Sequence, residues 1–139
     1  MIRLKRVYAA PSPLDGTRIL VDRLWPRGLT RQRACVGVWR RDLAPSDGLR
    51  RWYGHDRNRF AGFRERYRLE LLRQRDSLAE LAVQAERTTV TLLHAAKDSK
   101  HSNAAVLREL IGEVLEGGPA KRPSARHRTA AARAAPLRR

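Results

Sequence analysis

Two side chains able to grip an anion, Arg23 and Arg27, share the stretch "ILVDRLWPRGL", residues 19–29, with Asp22, Trp25, Pro26 and Gly28 among them. A guanidinium presents a planar fork of N–H donors that matches a carboxylate or phosphate with two parallel hydrogen bonds. Two arginines four residues apart, in a turn stiffened by proline and glycine, can clamp one anion. The same types equally suit an Asp22 salt bridge with Trp25 as a core plug. A second group stands in "AAKDSKHSN", residues 95–103, where Lys97, Lys100, His101 and Ser102 precede an apolar helical pattern. The free amides and macrodipole of a helix N-terminus favour an anion there too; the plainer reading is a solvated loop. His55 follows Gly54; a histidine can shuttle a proton, so it can pair with Asp22 as acid and base or simply cap a helix. The expected site therefore has Asp22 and His55 as its catalytic candidates and Arg23, Arg27, Lys97, His101 and Ser102 around an anion.

Other chemistries find no support. His55, His94, His101 and His127 lack the short spacings of metal ligands, and the one cysteine, Cys35, has no CxxC partner. Cys35 is expected to be a small buried hydrophobe. No GxGxxG, Walker loop or GxSxG occurs, so no metal and no cofactor are expected.

The elements that must position these residues follow from hydrophobic periodicity. "IRLKRVY" reads as a strand over residues 2–8, and "TRILVD" as a second, buried strand over 17–22 that Pro26 and Gly28 terminate. "CVGVWRRDLAP" suggests a short strand or irregular segment with Trp39 packed nearby. Ser46 is a good N-cap for "DGLRRWYG", which Gly54 closes. Phe60, Phe63, Tyr67 and Leu71 form one stripe of what should be the longest helix, with arginines opposite. "SLAE", residues 77–80, matches a capping box opening the next helix. "TTVTLLHAA" is a strand, and Leu107, Leu110, Ile111, Val114 and Leu115 mark a final helix ending at Gly117 and Gly118.

Strands followed by charged loops, with helices between, predict an α/β fold: a single small domain over residues 1–116 with a mostly parallel sheet covered by helices. Ligands of such sheets gather where the carboxyl ends of strands converge. The strands at 17–22 and 88–94 should be adjacent and parallel, bringing the two cationic groups together.

The chain has 139 residues and a net charge of +16. Seven of its basic residues fall in 117–139, a stretch with no acid and no apolar periodicity, expected to be a disordered basic tail. Arginine on the long helix (Arg57, Arg64, Arg68, Arg75) and in the tail motivates a rival function, sequence-tolerant nucleic-acid binding. The leading expectation is a pocket for a small anionic ligand bearing phosphate or carboxylate, nucleotides included. No window approaches a membrane span and no apolar leader is evident, so the expected setting is cytoplasmic, without a membrane partner.

Taken in order, "RVY", "DG", "RILVDRLWPRGL", "LAPSDGLRRWYGHD", "FRERY", "TLLHAAKD" and "NAAVLREL" resemble the YeaO-like family, a branch of the domain of unknown function 488. The resemblance covers about residues 1–115, and "VDRLWPRG" is its most specific motif. It implies a bacterial α/β domain, and matched positions at Asp22, Arg23, Trp25, Pro26, Arg27, Gly28, Ser46, Arg50, His55, Phe63, Tyr67, Lys97 and Asp98. It implies no reaction. Against the family pattern, His94 replaces a tyrosine, Ser102-Asn103 replaces an Asn-His pair, and the basic tail is additional.

Overall fold

The computed structural model describes residues 1–117. Four strands, β1 (Ile2–Arg6), β2 (Thr17–Leu20), β3 (Val38–Trp39) and β4 (Val90–His94), form one sheet in the order β1-β4-β2-β3, and every pair is parallel. The helices are α1 (Arg31–Ala34), α2 (Asp47–Tyr53), α3 (Phe60–Leu72), α4 (Arg75–Arg87) and α5 (Asn103–Leu115). The fold is the expected α/β sheet covered by helices, and β2 and β4 are neighbours with Leu20 opposite Leu93. The expected tail lies outside the described residues, apart from Gly117.

Alternation along the strands divides the interior. Ile19, Val90 and Leu92 point to the face packed by α2–α5, where the stripe Phe63, Tyr67 and Leu71 of α3 meets Leu107, Leu110, Ile111 and Val114 of α5. On the other face Leu20 and Leu93 pack with Val7 and Ala34 and with the partly buried Trp25, Leu29, Val36 and Trp39. The loop between β2 and β3, rather than a long helix, covers that side. Gly16 permits the sheet to start: its φ is +63°, and a Cβ would lie 2.1 Å from the Thr89 carbonyl oxygen.

Several local expectations need correction. Ser77 is not an N-cap; α4 begins at Arg75 after Gln74, and the Ser77 hydroxyl donates to Asp42 Oδ2 at 2.7 Å. The α3 segment is not the longest helix, because α3, α4 and α5 have 13 residues each. Cys35 is exposed, not buried; it caps α1 with φ 50°. Ser46 and Gly54 do bound α2, and Glu70 of α3 accepts from the Ser46 amide at 2.8 Å.

The amino-terminal end of the sheet is closed by a buried carboxylate. Asp15 accepts from Arg18 Nη1 at 2.6 Å, Lys5 Nζ at 3.1 Å and the Ser12 amide at 3.0 Å, while its carbonyl accepts from Thr91 at 2.7 Å. Arg18 also donates to the carbonyls of Ala34 and Cys35, both at 2.9 Å. Burial alone would raise the Asp15 carboxyl, but these donors outweigh it and hold it below the usual carboxylate range. The Asp15 carboxylate thus joins β1 and β2, its carbonyl reaches β4, and Arg18 extends the link to α1. Replacing Asp15 by Asn strands the buried Arg18 and should cost about 3 kcal/mol of stability in urea titrations at pH 7; a loss under about 1 kcal/mol would contradict this role.

Candidate functional site

At the opposite end, where all four strands finish, lies a cavity of about 490 Å³. Residues 21 and 22 hold its floor. The Val21 amide donates to Leu93 O at 3.2 Å and its carbonyl accepts from Asn103 Nδ2 at 2.9 Å. The Asp22 carboxylate accepts from the Ala95 amide at 2.9 Å, and its carbonyl accepts from Trp39 Nε1 at 2.7 Å. Burial pushes the Asp22 carboxyl above its ordinary range, opposed in part by the Ala95 amide, the Asn103 side chain and nearby His55.

The turn after Asp22 is locked from within. Trp25 Nε1 donates to Leu29 O at 2.7 Å, its ring meets Trp39 edge-on at 5.4 Å, and Pro26 is buried. Gly28, at φ +82°, supplies the left-handed residue that lets the chain fold back. Arg23 is consequently placed in the cavity wall, where Nε donates to the Pro45 carbonyl at 2.9 Å. No carboxylate among the described residues forms a salt bridge with it. The nearby Asp47 is already bound by Arg50 at 2.9 Å and Arg51 at 2.7 Å. Arg27 is exposed at the mouth, and its carbonyl accepts from Tyr8 at 2.9 Å.

Of the sequence-predicted residues, Asp22, Arg23, Arg27, His55, His101 and Ser102 line this one cavity. Lys97 does not: it is exposed and outside the lining, because the chain turns away after Ala96. Ser102 lines the wall but its hydroxyl is engaged, accepting from Ala105 N at 3.1 Å and donating to Ser99 O at 2.7 Å. It caps α5 and has no hydrogen left for a ligand. His101 binds Asp98 through Nδ1 at 2.7 Å. His55 is held by a left-handed backbone, φ 59°, directly after left-handed Gly54. Its ring makes no hydrogen bond among the described residues.

Arg50 was missed as a cavity residue from spacing alone. It lines the wall, and its buried Nε lacks a hydrogen-bond partner among the described residues. Its position one turn into α2, after the Ser46 cap, was the available signal. Tyr53 was also missed; its hydroxyl donates to the His101 carbonyl at 2.7 Å and fixes α2 against the loop before α5. No group of three or more His, Cys, Asp or Glu that could hold a metal occurs among the described residues. A groove of about 630 Å³ beside α5 is lined by Lys100 and Arg108 and by Glu109 and Glu113, the two acids already bound by Arg64 and Arg68.

Comparison with known proteins places the chain in a family. A family model described as the inactive DUF488-N3 subclade matches residues 1–127. The chain belongs to the YeaO-like DUF488 family. An uncharacterized protein of Mycobacterium tuberculosis (strain ATCC 25618 / H37Rv) is 44% identical over 110 residues, 79% of this chain and 92% of the relative. The uncharacterized protein YeaO of Escherichia coli (strain K12) is 38% identical over 110 residues, 79% of this chain and 96% of that protein. No solved structure matches.

A buried histidine beside the site has an energetic signature. His94 is fully buried beneath the loop leading to α5, with Nε2 at 3.0 Å from Ser99 Oγ and Nδ1 without a partner among the described residues. Burial, reinforced by the Arg6 charge, lowers its pKa from 6.5 to about 4. The imidazole is therefore neutral in the fold and gains its proton more readily when unfolded. Stability is fully present above about pH 6.5 and declines as pH falls toward 4, by about 3 kcal/mol for a shift of this size. His94→Leu should flatten the pH dependence of the melting temperature across that window; an unchanged slope would contradict the assignment.

Proposed function

We propose that the strand-end cavity binds a small cytoplasmic ligand carrying a phosphate or carboxylate, nucleotides included, and holds it rather than transforming it. The observation that carries this reading is Arg23. Its guanidinium lines the cavity, is positioned through Nε, and leaves its terminal nitrogens without a carboxylate among the described residues. Arg27 at the mouth and Arg50, whose buried Nε has no partner among the described residues, stand on the same lining, so an entering anion meets further donors beside Arg23.

The case for holding over catalysis rests on Asp22, Ser102 and Asn103, all engaged in structural hydrogen bonds. The Asp22 carboxylate already accepts from the Ala95 amide, and its carbonyl is a structural acceptor for Trp39. Ser102 and Asn103 are likewise structurally engaged, one capping α5 and the other tying Val21. The family model's own description as an inactive subclade agrees with that chemistry. The helical arginines that motivated nucleic-acid binding are mostly neutralised: Arg57 pairs with Asp98, Arg64 with Glu109, and Arg68 with Glu109 and Glu113.

Thermal melts and calorimetry with inorganic phosphate, pyrophosphate, citrate and adenosine monophosphate test the proposal. At least one should raise the melting temperature of the wild type at millimolar concentration, as ligand linkage requires. Arg23→Ala should weaken that ligand by about 10- to 100-fold, the range for a charged hydrogen bond. Recovery of the ligand unaltered is the expected companion result. Equal responses in both proteins would overturn the binding site, and turnover of any of these compounds would overturn the holding role.

A further inference from the structure

Because the sheet is parallel throughout, all four strands end on one edge, in the order β1, β4, β2, β3. Each end delivers a cation in a salt bridge with no carboxylate of the described residues: Arg6 on β1, Lys97 after β4, Arg23 and Arg27 after β2, and Arg41 after β3. Neighbouring strands lie about 4.8 Å apart, so four ends form a row about 14 Å long. That length exceeds a single phosphate and suits successive phosphates of a polymer.

Aromatic rings interleave with these cations. Tyr8 is 41% exposed with Arg6 above its ring at 5.2 Å; Arg31 lies over Trp25 at 5.4 Å and Arg41 over Trp39 at 5.0 Å. Aromatic faces and guanidinium planes are the surfaces on which unstacked bases rest, whereas a duplex keeps its base faces covered. An acidic peptide would use the charges but not the rings.

We propose that this strand-end rim binds single-stranded nucleic acid without sequence preference, its phosphates meeting Arg6, Lys97, Arg27 and Arg41 and one base resting on Tyr8. The rim goes beyond the cavity already assigned. Arg6, Lys97 and Arg41 are not part of the cavity lining, so the two sites can fail separately.

Fluorescence anisotropy of the full chain with a labelled oligothymidylate and a duplex of equal length, across a potassium chloride series, tests the rim. The R6A/R41A/K97A variant should bind the single strand about tenfold more weakly at moderate salt. Its log–log salt slope should be shallower by about 2, from three lost contacts at about 0.7 each. A control removing equal charge from exposed helical positions, R73A/R75A/R87A, should stay within about twofold of wild type. Because Arg6 also donates to the Ala96 carbonyl, R41A/K97A keeps the test open if the triple variant unfolds; a slope shallower by about 1.4 is then expected. Tyr8→Ala should weaken the single strand and spare the duplex. Equal losses from both triple variants, duplex binding as tight as single-strand binding, or displacement by polyglutamate as effective as by oligothymidylate would each overturn the proposal. The small-anion response of R6A/R41A/K97A should remain that of wild type, and its loss in Arg23→Ala alone bears only on the cavity.

Discussion

The carboxylate of Asp22 and the two peptide groups around it hold the ends of three strands together. Through Val21 and Asp22 the end of β2 is bonded to β4, to the Trp39 indole of β3 and to Asn103 at the start of α5. Hydrogen bonds to buried groups contribute modestly when formed and cost more when broken. The joint therefore fixes geometry more than it adds stability. Part of the cavity lining follows from it: the Trp25–Pro26 turn that carries Arg23, and the loop after β4 that carries His101.

The two ends of the sheet show opposite uses of charge. At the amino-terminal end Asp15 collects Arg18 and Lys5 and leaves no donor idle, which closes the sheet against the segment before β2. At the carboxyl end the Asp22 carboxylate accepts from a peptide amide, and Arg23 donates to the Pro45 carbonyl without a salt bridge to any carboxylate of the described residues. Carboxylates on the helical side bind Arg57, Arg64 and Arg68 and neutralise that surface. Arg23 and Arg27 accordingly stay without a salt bridge among the described residues where the loops converge, and concave places lined by cations concentrate anions.

Patterns within a single element were legible in the sequence. The Phe63, Tyr67, Leu71 stripe, the Ser46 cap and Gly54 stop, and the adjacency of β2 and β4 follow from periodicity and from the economy of parallel connections. What failed depended on distant partners. Ser77 matches a local capping motif, yet its hydroxyl takes Asp42 from another segment. Asp15 looks like a turn residue, and only the approach of Lys5, Arg18 and Thr91 makes it a hub. Lys97 and His101 share a loop, but the turn after Ala96 sends one outward and the other to the cavity wall. Cys35 sits beside apolar Val36 but emerges at a left-handed helix cap.

The most direct measurement of the central claim is a nuclear magnetic resonance titration of the isotope-labelled full chain with inorganic phosphate, following backbone amides and arginine Nε–H signals together. The account predicts saturable, concerted shifts at Arg23 Nε and at the amides of Ala95 and Asn103, which share the Asp22 joint. Shifts confined to the helical arginines, with Arg23 Nε silent, would contradict it.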